Sequence, residues 1–335
     1  MHVDQRNLTV LMDPAPEIAP ETVKMLAASL PADVTVAPFG FRQAFIGHYD
    51  VLHVHWPELL LSATTRMQRI ARPLMFAGLV LTNRARRRPM VWTVHNAAPH
   101  ERQPPLARFA LSVWGRAVHA RVFMYESARF SDTRGTDTVI RRGDYSPYLE
   151  RLGVACDDQA PRDGMLSFGL IRPYKGIENL ITAYAGLPAE GRPALSICGS
   201  PDVPGYAEEV ELLSQGIDGL TLELRHVPDL ELVEKICAAR LIVLPYKKIY
   251  NSGTVLLALT LRRPVLVPDS PTMRELRDEV GGGWVSLFSE LTPAALQSAY
   301  ESVSGGDPES APDLSRREWG AVGSAYAELY ARLTR

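Results

Sequence analysis

Short apolar, β-branched runs alternate with helix-length segments from one end of the chain to the other, and this rhythm restricts the fold more than any single motif. The runs lie at 8–12, 34–37, 51–55, 91–95 and 122–125, then at 165–170, 195–198, 220–227, 241–244 and 265–267. They are apolar almost without break, as strands covered on both faces must be. Between them, 21–30, 105–119, 176–185, 206–215, 229–239 and 254–261 are long enough for helices. A last helical stretch, 316–333, follows the loop SGGDPESAPDLS. Strand–helix alternation predicts parallel sheets with helices on both faces. So many strands in 335 residues fit two Rossmann-like, doubly wound α/β domains better than one sheet. The segment 149–164, LERLGVACDDQAPRDG, is polar, carries Pro and Gly and has no period. The expected domains are therefore 1–155 and 156–335, with the last helix a candidate to pack back on the first.

Composition narrows the function classes. A hydrophobic share of 46% belongs to a folded chain, and a net charge of −2 argues against a nucleic-acid partner. Cys156, Cys198 and Cys237 lie far apart, with no CxxC and no His/Cys ligand spacing. The pattern suggests neither a disulfide framework nor a metal site, and it fits a reducing compartment. The opening MHVDQRNLTVLM lacks the basic and apolar regions of a signal peptide. No apolar run approaches the ~20 residues that cross a bilayer. A cytoplasmic protein is expected.

Ligands of open α/β sheets bind beyond the carboxyl ends of the strands, and every notable motif here follows a predicted strand. FGLIRPYKG (168–176) supplies Gly169 for close backbone approach, the planar fork of Arg172 and the point charge of Lys175 at a helix start. A Gly/Pro turn with two solvated cations explains that loop equally well when it is taken alone. The second segment, LIVLPYKKIYNSGT (241–254), shifts the balance. Its Asn251, Ser252, Gly253 and Thr254 cluster at another helix start, where free N–H groups and hydroxyls suit an anion. Ser252 or Thr254 as a plain helix cap is the simpler alternative. Two such starts in one domain favour a nucleotide diphosphate. Asp13-Pro14-Ala15-Pro16 after the first run offers no GxGxxG, so a dehydrogenase is not expected.

FGLIRPYKG, LPYKKIYNSGTVLLAL and RRPVLVPDS resemble the donor half of the two-domain GT-B glycosyltransferases. YDVLHVHWPE (49–58), TVHNAAPHE (93–101) and APDLSRREW (311–319) sharpen the likeness. Together they resemble the bacterial GDP-mannose:glycolipid 4-β-D-mannosyltransferases of xanthan-type exopolysaccharide assembly, from about Asp50 onward. The resemblance implies two domains facing across a cleft, a nucleotide-sugar donor and a lipid-linked sugar acceptor, with no cofactor or metal. It assigns Gly169, Arg172, Lys175, Tyr246, Asn251, Ser252, Gly253 and Thr254 to the donor, and Val227, within His226–Asp229, to the nucleobase. The paired glutamates of the commoner retaining families would fall at Tyr250 and Ala258 and are absent. That absence favours the β-mannosyl group.

In the first half, His53 and His55 alternate on one strand face and lead into Trp56-Pro57-Glu58. Thr93–Glu101 leaves the next strand in the same way with His95, His100 and Glu101. Each of these residues could be structural if it stood alone. Converging from neighbouring strand ends, they suggest a site. Forming a β-mannoside from an α-linked donor inverts the anomeric carbon and needs a base on the acceptor hydroxyl. The candidates are Glu58 and Glu101, with His95 on the donor sugar or phosphate and His55, Trp56, His100 and Tyr145 on the acceptor. Asp13 and Asp144 stay open as bases. In RRGDY (141–145), Arg142 stands where the family more often has His, while Gly143 and Tyr145 match.

The stretch 63–89 mixes arginines with Met67, Leu74, Phe76 and Leu81. It reads either as a peripheral contact with the inner face of the plasma membrane or as a helix covering the sheet, with Pro73 interrupting any long amphipathic face. Competing functions on the same scaffold are a retaining or differently specific UDP/GDP-sugar transferase, a sugar-nucleotide hydrolase or epimerase, and an inactive nucleotide-sugar-binding subunit.

Overall fold

The computed structural model describes residues 7–96, 103–156, 162–305, 308 and 310–335. The chain divides into two units, Met1–Gly143 with Arg316–Arg335, and Asp144–Ser315. The division falls before the 155/156 boundary expected from composition, because the polar segment follows a short helix that already belongs to the second unit.

The first unit holds β1 (Leu8–Asp13), β2 (Val34–Pro38), β3 (Val51–Val54), β4 (Met90–Thr93), β5 (Ala120–Phe123) and β6 (Thr138–Val139). They form one parallel sheet in the order β2-β1-β3-β4-β5-β6. Its helices are α1 (Glu21–Ser29), α2 (Phe41–Ile46), α3 (Arg66–Ala85) and α4 (Pro105–Ala117). Leu11, Leu52 and Val54 pack with Phe76, Leu79 and Trp114 on one face of the sheet. Pro73 does not break α3: the helix runs through it, with the proline buried and a Thr65/Gln68 capping box at its start. A proline costs one helical hydrogen bond, and packing of the buried face against α4 outweighs that loss.

The second unit begins with α5 (Ser146–Leu152) and holds β7 (Asp163–Phe168), α6 (Ile177–Ala185), β8 (Leu195–Cys198), α7 (Tyr206–Ser214) and β9 (Leu220–Glu223). There follow α8 (Asp229–Ala238), β10 (Ala239–Val243), α9 (Gly253–Thr260), β11 (Val265–Pro268), α10 (Pro271–Val280), β12 (Val285–Phe288) and α11 (Pro293–Ser304). Its parallel sheet runs β12-β11-β10-β7-β8-β9. β9 stops four residues before the predicted run does, so Val227 lies in the following loop. Cys156 and Cys237 are joined by a disulfide, with Cα atoms 5.4 Å apart. This corrects the expectation of three unpaired cysteines: the partners are 81 residues apart in sequence, and only the fold brings them together. Cysteine usage therefore gives no support to a reducing compartment.

The chain ends in α12 (Trp319–Leu333), which returns to the first unit and packs on α1. The helices approach so closely that a Cβ on Gly323 would lie 1.9 Å from the Ser29 carbonyl oxygen. Among the described residues, no helix is long and apolar enough to cross a membrane.

Candidate active site

Each sheet has one place where successive connections leave in opposite directions, and a crevice opens there at the carboxyl ends of the strands. In the second unit this switch point lies between β7 and β10, and the two motif loops follow those two strands. Lys175 ends a single 3-10 turn and is buried. Its ammonium donates to the Tyr246 hydroxyl at 3.2 Å and lies 4.9 Å from that ring's centroid. Among the described residues it meets no carboxylate. Gly169 follows β7 at φ +110°, and a Cβ there would lie 2.8 Å from Lys175 Nζ and 3.9 Å from Thr254 Oγ1. The missing side chain is thus what lets an ammonium, a hydroxyl and bare backbone share one spot. Gly199, at the end of β8, is just as constrained, since its Cβ would collide with the Gly169 carbonyl. The α9 N-terminus adds the orphan N–H groups of its first turn. Ser252 caps that helix, its hydroxyl accepting from Val255 N–H at 3.2 Å.

Arg172 is placed differently from the expected clamp. Its Nε donates to Asp202 at 2.6 Å, on a partly exposed surface. Val227 is buried just before α8. Tyr145, expected among the acceptor residues, belongs to the second unit, where its N–H donates to Thr260.

In the first unit the switch point lies between β1 and β3. His55 Nδ1 and His95 Nε2 are hydrogen-bonded at 2.9 Å, and Trp56 stacks on His95 with centroids 4.0 Å apart. His55 Nε2 is buried with no partner among the described residues. It lines a small cavity with Thr93, His95, Arg142 and Tyr326. Burial lowers all three imidazoles: His55 falls to about 3, while His53 and His95 go well below the usual value, helped by neighbouring charge (His55 for both, then Arg142 for His95). They are neutral hydrogen-bonders and weak bases. His53 is fully engaged, with Nδ1 2.7 Å from the Tyr330 hydroxyl and Nε2 2.8 Å from Thr93 Oγ1. Glu58 follows β3 half-buried, and burial raises its carboxyl. Asp144 accepts from Ser146 N–H and hydroxyl at 3.1 and 2.8 Å. His100 and Glu101 lie outside the described residues. No group of three or more His, Cys, Asp or Glu among the described residues is placed to hold a metal.

No family model matches the chain. It is 35% identical over 308 residues to a GDP-mannose:glycolipid 4-β-D-mannosyltransferase of Xanthomonas campestris pv. campestris, which covers 90% of this chain and 85% of that protein. A second protein of that name and pathovar is 34% identical over 309 residues, with the same coverage. The chain belongs to the GDP-mannose:glycolipid 4-β-D-mannosyltransferase family. Among solved structures, Anabaena HepE with UDP and glucose aligns at a TM-score of 0.65 and 15% identity, covering 97% of this chain and 100% of that one. Sucrose-phosphate synthase from Thermosynechococcus elongatus aligns at 0.64 and 15%, covering 98% and 99%. These likenesses give the fold, which is GT-B, and the chain is a glycosyltransferase.

For this mannosyltransferase-family chain, linear motifs announced the Gly169–Lys175 and Asn251–Thr254 loops. Sequence reading did not single out Tyr326 and Tyr330, which reach from α12 to Thr93 (2.9 Å) and His53. Their i, i+4 spacing on one helix face was the available signal.

Proposed function

We propose that this glycosyltransferase moves mannose from GDP-mannose to a lipid-linked oligosaccharide, inverting the anomeric centre to give a β-mannoside in exopolysaccharide or glycolipid assembly. The observation that carries the reading is Lys175: a buried ammonium is costly without an anion, and this one sits over Gly169 beside Thr254 at a switch point. A diphosphate there takes charge-assisted bonds from Lys175 and hydrogen bonds from Thr254 and the α9 N-terminus. Tyr246, Asn251, Ser252 and Gly253 shape the same loop, Val227 flanks the nucleobase, and Arg172 exchanges Asp202 for the diphosphate. As the glycosidic bond breaks, Lys175 stabilises the charge on the departing GDP, and this route calls on no metal. In the first unit, a carboxylate takes the proton of the acceptor hydroxyl, while His55, Trp56 and His95 line the acceptor's path.

The acceptor's lipid places the protein on the inner face of the plasma membrane. α3 turns Met67, Ile70, Leu74 and Leu81 to solvent among its arginines, and Phe109 of the neighbouring α4 is also exposed. Such a basic, apolar face suits anionic lipid, with about 1 kcal/mol per cation near the surface. Flotation with anionic vesicles recovers the protein under this reading; indifference to lipid makes α3 a covering helix only.

The donor is tested by thermal shift with GDP, UDP and ADP. At 100 times its Kd, GDP adds about 2.7 kcal/mol of stability. An equal response to UDP removes the guanine assignment. Incubation with GDP-mannose and lipid-linked oligosaccharide, read by NMR of the product linkage, tests inversion.

A further inference from the structure

We propose that Asp13 is the general base of the transfer, accepting the proton of the acceptor hydroxyl as that oxygen attacks the anomeric carbon. The inference rests on the inverting reading above and deepens it by naming the group. Asp13 is the last residue of β1, and its strand neighbour across the switch point is β3, in the register Asp13↔Val54. The backbone around it is held on both sides: Phe39 N–H donates to Met12 at 3.1 Å and His55 N–H to the Asp13 carbonyl at 3.0 Å. A group fixed on a central strand is placed more sharply than one on a loop.

Asp13 is 9% exposed as a residue, and its carboxyl has no hydrogen bond or ion pair among the described residues. An unpartnered buried carboxyl is costly to a fold, and no contact among the described residues offsets that cost here. Burial alone pushes it up to about 7, where a base is best matched to neutral solution. Titratable groups on the adjoining segments are Glu17, Glu21 and Lys24 on the side of α1, Arg42 on α2, and His53, His55 and Glu58 at and beyond β3. None of them is a cause of the shift.

Among the described residues the competing groups are less suited. The imidazoles are neutral and too weakly basic, Asp144 is tied to Ser146, and Arg121 holds Asp132 and Asp137. Glu58 lies four residues past the end of β3, in the turn that follows it. In the step, the acceptor O–H bond breaks and its proton passes to an Asp13 oxygen. The oxygen's electron pair forms the new glycosidic bond, and the pair of the breaking bond leaves with GDP.

The test is Asp13→Asn, assayed for transfer from GDP-mannose across pH alongside Glu58→Gln. We expect kcat to fall about 10²–10⁴-fold with GDP affinity and the KM for acceptor little changed. The acid limb of the wild-type kcat/KM profile near neutrality should vanish in Asp13→Asn and persist in Glu58→Gln. Transfer by Asp13→Asn within a few-fold of wild type, or a limb lost only in Glu58→Gln, overturns the assignment and leaves the inverting reading intact. An α-mannoside product from the wild type overturns both. Should Asp13→Asn fail to fold, the wild-type profile still decides: a limb in the ordinary carboxylate range sinks the proposal.

Discussion

Both units place chemistry at a switch point between parallel strands, yet they fill it in opposite ways. The second unit presents a buried cation whose described partners are a tyrosine hydroxyl and ring. The first presents neutral imidazoles and a carboxyl that burial has raised. The strand orders differ too: the second sheet counts 3-2-1-4-5-6 from its own first strand, the first 2-1-3-4-5-6. The same architecture thus offers one crevice suited to a diphosphate and another suited to moving a proton. Fold alone assigns neither role, and the proposals rest on the side chains at each crevice.

The largest effect expected from breaking this contrast is at the cation. Lys175→Ala should lower turnover by about 10²–10³-fold, because a preorganised donor to a developing anion is lost. The variant should still fold, since the ammonium is costly to bury. Single-turnover kinetics with a melting curve check both points, and near-wild-type turnover would dissolve the comparison.

Next come the opposite pH slopes in the first unit. Asp13, raised in the folded state, contributes stability that is full below its unfolded value of 3.8 and lost as pH rises through about 7. The histidines, lowered in the folded state, contribute stability that is full above 6.5 and lost as pH falls. Asp13→Asn should therefore melt higher than wild type at about pH 8 and no higher at about pH 4. Equal melting shifts at both would place the carboxyl in solvent.

A smaller effect is expected where α12 meets α1. Gly323→Ala drives a Cβ into the Ser29 carbonyl and should destabilise by about 1–3 kcal/mol, measured by denaturant unfolding. Nucleotide affinity, proposed above for the other unit, should be unchanged. The mildest test is chemical: unreduced, unfolded protein should show one titratable thiol, Cys198, with Cys156 and Cys237 silent. Three thiols would refute the pairing.

Much of the geometry of the 169–175 and 251–254 loops was legible because the residues of each are consecutive. Gly169 and Lys175 sit on one turn, and Asn251–Thr254 open one helix, so local spacing carries the geometry. Arg172 shows the limit: Asp202, which holds it, comes from the loop after β8. β12 and α11 escaped the strand–helix reading; in α10, PTMRELRDEV, the charged residues outnumber the apolar ones, yet Met273 and Leu276 are buried.

The alternation of apolar runs was enough to specify parallel sheets, since a strand buried on both faces must be apolar throughout and each crossover needs a helix. The order of those strands was settled only in three dimensions, and with it the meeting of Asp13 with β3, of His53 with Tyr330, and of Cys156 with Cys237. Those partners lie far apart along the chain. Their approach depends on how crossovers choose a side of the sheet and on which close contacts glycine permits, and local residue patterns encode neither.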